Sequence, residues 1–253
     1  MPNNSVFLSF SMTTQTDWFS SWFNTPYYHI LYKDRDDTDA KLFMQNITSF
    51  LKLSKSAHIL DLACGKGRHS VFLNALGYHV TGVDLSENNI NSAQKFANES
   101  LQFSVHDMRD RLKNKYDAIF NLFTSFGYFK DDAEDIKVLK NIKNGLSEKG
   151  IAVIDFLNVA TVRANLVENE IKSINGIVFH IHRKIEHGFI IKEISFVADG
   201  RQHSYVEKVK HIDLNKFKAY LKESDLKIHN VFGDYQLSEF NEATSNRLIF
   251  VVT

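Results

Sequence analysis

Asp61, Ala63, Gly65 and Gly67 follow one another in HILDLACGKGRHSV, residues 58–71. A carboxylate thus stands just ahead of a small-residue bend, where backbone can come close to a ligand. That carboxylate would repel a dinucleotide pyrophosphate and attract an ammonium or a sulfonium. Ser70 also stands where the third glycine of a dinucleotide fingerprint would fall. Asp84 closes the next apolar run, in GVDLS, at about the 20-residue distance from which an acid accepts hydrogen bonds from a ribose diol. In HDM, residues 106–108, Asp107 can accept from an adenine amino group while Met108 packs on the ring face. A fourth feature is NLFTSFGYF, residues 121–129. The ligand best matched to this set is a nucleoside carrying a cationic amino acid.

The flanking segments predict how these residues are positioned. Strand patterns at 57–63, 78–84, 101–107, 116–123 and 151–158 alternate with helical ones at 67–76 and 86–100, and over 131–150. The last helix has acids first, lysines late and Gly150 as its stop, the order a helix dipole favours. Near-continuous apolar strands in β–α–β order predict an α/β fold, a parallel sheet with helices on both faces. Ligands of such sheets sit beyond the carboxyl ends of the strands, so all four features should face one crevice.

The pattern changes near residue 172. Over 172–212, alternating residues and the turns His187-Gly188 and Asp199-Gly200 predict three antiparallel strands, an insert that roofs the crevice or builds a subunit interface. Residues 172–218 hold nine Lys/Arg against five Asp/Glu, a balance that would favour an anionic or carboxylate-bearing acceptor. A helix at 213–225 and closing strands at 226–235 and 247–253 complete the core. That core is 55–171 with 213–253, preceded by a tail and helical lid over 1–54. Tyr27, Tyr28 and Tyr32 of the lid, Thr124, Ser125 and Tyr128 after the fourth strand, and Asn158 after the fifth, beside Asp155, are the candidates for an acceptor pocket.

Thirty basic and 30 acidic residues give zero net charge, which argues against a protein organised around bulk nucleic-acid binding. The single cysteine, Cys64, allows no internal disulfide and fits a reducing cytoplasm; its place in the bend reads as a small buried thiol. No run approaches the roughly 18 apolar residues of a membrane span. The opening MPNNSVFLSFSMTTQ reads as a loose tail with no secretory signal, and either Met1 or Met12 could start the chain. His180 and His182 share a strand face without a cysteine or carboxylate cluster, so no metal is assigned.

The ordered set ILDLACGKGRHS, GVDLS, HDM and YDAIFNLFTSFGYF resembles the class I S-adenosylmethionine-dependent methyltransferases. Within them it is similar to the broad bacterial group whose bend reads D-L-A-C-G-x-G-R-H. VFGDYQLSEFNEATSNRLIFVV resembles that group's closing strands. The resemblance implies a Rossmann-like seven-stranded sheet with the last strand antiparallel. It also implies S-adenosylmethionine as donor, S-adenosylhomocysteine as product, and cofactor roles for Asp61, Ala63, Gly65, Gly67, Asp84 and Asp107. Leu85, Met108 and Asn121 complete the candidate cofactor set. The acceptor is expected to be a small molecule, the protein a monomer or homodimer. An NAD-dependent oxidoreductase, disfavoured by Asp61 and Ser70, and a non-catalytic S-adenosylmethionine-binding module stand as alternatives.

Overall fold

The computed structural model describes residues 18–33 and 37–253; the opening tail and Met12 lie outside them. Three helices come first: α1 (Trp18–Trp22), α2 (Pro26–Leu31) and α3 (Asp37–Leu51). The core then runs β1 (His58–Leu62), α4 (Arg68–Ala75), β2 (His79–Asp84), α5 (Glu87–Ala93), β3 (Leu101–Val105) and β4 (Tyr116–Asn121). It continues with α6 (Asp132–Gly145), β5 (Leu146–Leu157) and α7 (Val159–Ala164). A second sheet follows: β6 (Asn169–Ile174), β7 (Ile177–Glu186), β8 (Phe189–Ala198) and β9 (Arg201–Lys210). The chain closes with α8 (Leu214–Glu223), β10 (Ile228–Phe232) and β11 (Arg247–Val252).

The main sheet has the order β10-β11-β5-β4-β1-β2-β3, with β11 antiparallel to both its neighbours. This is the α/β, Rossmann-like, mostly parallel architecture expected. Alternate residues of each strand enter opposite layers. Leu60, Ile119, Ile154 and Phe250 pack under α6 and α8, while Ile59, Phe120, Val153 and Ile249 pack under α3, α4 and α5. Chain order reverses direction between β1 and β4, which opens a crevice at the carboxyl ends of these strands.

Several boundaries differ from the sequence reading, three of them by more than the trimming of an end. The helix expected over 86–100 ends at Ala93 and passes through a 3₁₀ turn, because Asn98 pairs with Leu101 to turn the chain into β3. Gly150 is not the stop of α6: the helix ends at Gly145, and Gly150 lies inside β5 where a Cβ would meet Ser147 N and Tyr116 O at 2.8 Å. The insert has four antiparallel strands, not three, and begins at Asn169. Its extra strand, β6, is an edge strand with polar residues on both faces, so its alternation is faint. The turns Asn175-Gly176, His187-Gly188 and Asp199-Gly200 each have both residues at positive φ, the geometry that tight hairpins prefer.

One face of this second sheet is apolar, and only its Ile190–Val209 end packs directly on the main core. Phe179, Ile181, Ile194 and Phe196 pack against Trp22, Leu31 and the tyrosines of α2. The N-terminal helices therefore lie between insert and core. Among the described residues no helix is long and apolar enough to cross a membrane.

Candidate active site

β1 delivers Asp61 to the centre of the sheet, between Gly82 of β2 and Phe120 of β4. The carboxylate is 2% exposed and accepts a hydrogen bond from the Ser70 hydroxyl at 2.6 Å, which ties the bend to α4. Burial pushes the Asp61 carboxyl up to about 6, with Ser70 pulling the other way. The bend itself places Ala63, Gly65 and Gly67 at φ 66, 57 and 81°. Ala63 holds this left-handed conformation with a side chain that costs about 1–2 kcal/mol there.

The two glycines serve different ends. A Cβ on Gly67 would strike the Phe103 ring at 2.7 Å and Ala93 at 3.1 Å, so Gly67 lets α4 and α5 close on β3. A Cβ on Gly65 would meet nothing within 4 Å among the described residues. Gly65 is the member of the pair that faces open space. Its N–H donates to Asp84 Oδ2 at 2.9 Å, while Asp84 Oδ1 accepts from the Ser86 N–H at 2.9 Å. Asp84 does not cap α5; Ser86 does, accepting from the Asn89 N–H. Burial raises the Asp84 carboxyl against these bonds. Leu85 beside it is 39% exposed.

Asp107 follows β3 and is gripped by Arg109, whose Nη2 lies 2.6 Å from Oδ2 and whose Nη1 reaches Glu134 at 3.0 Å. Burial works against ionisation here, but the guanidinium wins and holds Asp107 below the usual carboxylate range. Met108 packs on the core layer under α6. Asn121 ends β4 fully buried; its Nδ2 donates to the carbonyls of Leu62 and Ser125, each at 3.1 Å. Among the described residues its Oδ1 is buried without a hydrogen-bond partner, as is His106 Nε2. Unsatisfied buried polar atoms of this kind are uncommon and call for a ligand, water or strain to explain them.

The loop after β4 carries strain. Phe123 and Thr124 are consecutive left-handed residues that are not glycine, at φ 56 and 65°. Such positions cost about 1–3 kcal/mol each and persist only where surroundings impose them. Here the imposing group is Asp155 of β5, 0% exposed, which accepts from the Phe123 N–H at 2.7 Å. Arg247 of β11 pairs with Asp155 at 2.7 Å and donates to the Thr124 hydroxyl at 2.9 Å. The Phe123 ring in turn stacks on His69, centroids 4.5 Å apart. Sequence alone assigns Arg247, Phe123 and His69 no individual role: Arg247 and Phe123 fall in expected strands and His69 in an expected helix.

The acceptor-pocket candidates separate. Tyr128 donates to the Thr124 carbonyl and lies among Trp18, Phe19 and Phe23 of the N-terminal segment. Tyr28 adjoins the same group through Phe23, at 4.9 Å. Tyr27 instead donates to Asp199 at 2.8 Å and Tyr32 to Glu207 at 2.6 Å, so both hydroxyls engage the insert. Asn158 caps α7 and latches the 242–245 segment through Glu242 O and Ser245 O, away from any pocket role. The Ser125 N–H donates to the Leu122 carbonyl. Cys64 is buried, and burial beside Asp61 and Asp84 pushes its thiol far up, which leaves it inert as a nucleophile.

The N-terminal segment also reaches the start of α5 and the bend after β1. Asn24 accepts from the Ser86 hydroxyl, and burial together with Lys66 holds the His29 imidazole down at about 4, with Asn89 hydrogen-bonded to it. Much of the basic surplus of the insert is partnered. Arg183 and Lys172 pair with Glu170, Lys184 with Glu193, Lys192 with Glu207, and Lys210 with Asp132 and Asp135. Glu170, Asp132 and Asp135 lie outside the 172–218 window, which is why the count there looked unbalanced. Among the described residues no group of three or more His, Cys, Asp or Glu is placed to hold a metal ion.

A family model described as a methyltransferase domain matches residues 53–221. A Bacillus subtilis (strain 168) protein named as a methyltransferase, YqeM, is 26% identical over 209 residues, 78% of this chain and 84% of that one. Among solved structures, an S-adenosylmethionine-dependent methyltransferase from Clostridium acetobutylicum ATCC 824 superposes with a TM-score of 0.76 at 21% identity, covering 90% of this chain and 95% of the other. The sugar N-methyltransferase KedS8 from Streptoalloteichus sp ATCC 53650 gives 0.70 at 19% identity, covering 100% and 98%.

Proposed function

The chain belongs to the methyltransferase-domain family and uses S-adenosylmethionine as methyl donor, and from that premise we infer which of its residues hold the donor and what they do. The observation that carries the assignment is Gly65. It faces open space, its N–H is fixed by Asp84, and the neighbouring strand end presents the buried, unpartnered Asn121 Oδ1. A group with both an ammonium and a ribose diol suits that setting. Asp84 is assigned to the ribose hydroxyls, Leu85 and Met108 to the faces of the adenine, and Asp107 to its amino group. Asn121 Oδ1 and the field of Asp61 are assigned to the amino-acid end, with Ala63, Gly65 and Gly67 shaping the bend around it.

The donor supplies a methyl group already activated by positive sulfur, which an acceptor nucleophile displaces in line, leaving S-adenosylhomocysteine. The protein's part is to align the acceptor and exclude water, effects that reach about 7–11 kcal/mol in well-oriented systems. Thr124, Tyr128, Tyr28, Phe23 and Trp18 form the apolar, aromatic side of the crevice, suited to a small-molecule acceptor. With five of the insert's seven lysines and arginines in ion pairs, its charge argues only weakly for an anionic one.

Calorimetry and thermal shift with S-adenosylhomocysteine, S-adenosylmethionine and NAD test the assignment. Saturation at about 100 times the dissociation constant should add about 2.7 kcal/mol of stability with the two adenosyl compounds. Binding of NAD with indifference to both of them would overturn it. Labelled donor screened against a small-molecule library then identifies the acceptor.

A further inference from the structure

Lys210 ends β9 as a buried charge, 3% exposed, that the methyl-transfer reading leaves unused. Its ammonium lies 2.5 Å from Asp135 Oδ2 and 2.9 Å from Asp132 Oδ1, both in the first turn of α6. Its own N–H donates to the Gly127 carbonyl at 2.7 Å. One residue of the insert therefore grips the loop 122–131 twice. The main chain holds its middle, and the ammonium holds the point where it enters α6. That loop starts with the strained pair Phe123–Thr124 and carries Tyr128.

Stability alone explains such a pair poorly. Burial strips both charges of hydration, Asp135 Oδ1 has no partner among the described residues, and burial pushes the Asp135 carboxyl up to about 6 despite Lys210. Apolar residues of similar volume often serve a fold as well as a buried ion pair. What the ion pair adds is direction, because hydrogen bonds between charged groups fix distance and angle in a way that apolar contact does not.

We propose that Lys210 is a positioning residue: it transmits the seating of the inserted sheet to the 122–131 loop, so that the crevice takes its donor-binding shape only with the insert in place. The proposal rests on reading the crevice as the donor site, and the wild-type protein's affinity for S-adenosylhomocysteine tests that reading by itself.

Hydrogen exchange on the wild-type chain is the first test. Amides of 122–131 and 201–210 should open as one unit, with the same protection and the same denaturant dependence. Independent opening of the loop would overturn the proposal whatever the variants do. The second test compares Lys210→Met/Asp135→Asn, which removes both charges and leaves neither unpaired, with Lys210→Arg. The double variant should fold cooperatively, yet exchange at 122–131 about tenfold faster and bind S-adenosylhomocysteine about tenfold more weakly, as loss of a coupling of ordinary size would give. Lys210→Arg should recover most of both. A folded double variant with wild-type loop exchange and affinity would reduce the pair to a structural contact and overturn the proposal. If neither variant folds, the wild-type exchange pattern decides.

Discussion

Asp84→Asn probes the assigned ribose acceptor with the least change of shape. In the structure Oδ2 accepts from the Gly65 N–H and Oδ1 from the Ser86 N–H, both at 2.9 Å. Asparagine keeps one oxygen. If that oxygen stays on Ser86, an amide NH2 opposes the Gly65 N–H, and a charge-assisted bond becomes a donor–donor contact. The carboxylate's capacity to accept from a diol falls at the same time. A hydrogen bond to a charged group contributes about 1.5–3 kcal/mol, so affinity for S-adenosylhomocysteine should fall about 10- to 150-fold. Asp84→Ala should act in the same direction and further. Calorimetry at neutral pH measures the loss, and circular dichroism with a cooperative melt shows that the fold is retained. Unchanged affinity in either folded variant would refute the role given to Asp84 and, with it, the reading of Gly65 as the open side of the bend.

Four further outcomes are expected. Asp61, raised to about 6, favours its protonated form in the fold; that contribution is complete below the ordinary carboxylate range and is lost as pH rises through about 6. Acidification through 6 should therefore weaken binding of the cationic donor without any loss of stability attributable to Asp61, which paired calorimetry and melts across this range would check. Ala63→Gly should stabilise by about 0.5–1 kcal/mol, because it relieves a left-handed alanine and this outweighs the added freedom of the unfolded chain; a lower urea midpoint would contradict this. Arg247→Met leaves Asp155 buried and unpaired and should cost about 3–5 kcal/mol in urea denaturation. Ser70→Ala removes the one hydroxyl bonded to Asp61 and should raise the Asp61 pKa further, seen as an upward shift in the pH at which donor affinity falls.

The core was legible because its signals are local. Apolar strands of the β1 and β4 type, Ser86 ahead of α5 and the acids opening α6 each declare their element within a few residues. Gly145 was passed over for Gly150 because the two differ only in what lies across from them: Leu112 and Ile119 at the helix end in one case, Tyr116 O in the other. β6 was missed for a related reason. An edge strand that buries neither face writes no period into its sequence.

The placement of the candidate residues was legible where it depends on a residue's own strand and obscure where it depends on another. Asp84 and Asn121 end strands and Asp107 follows one, and a parallel sheet brings such ends together whatever the side chains do. Gly65 and Gly67 look alike in sequence, and only the position of Phe103, some 40 residues on in a separate strand, makes one a packing contact and the other an opening. Asn158 stands at a strand end like Asn121, yet the 242–245 segment returns to take its amide and removes it from the crevice. Tyr27 and Tyr32 turn to Asp199 and Glu207 for the same reason: the insert, distant in sequence, supplies partners before any acceptor can. The strained Phe123–Thr124 pair is the extreme case, since it exists only because Asp155 and Arg247, contributed by two other strands, converge beneath it. Acceptor selection should accordingly be sensitive to residues on β5, β11 and the insert that never touch the acceptor, because these fix the loop that does.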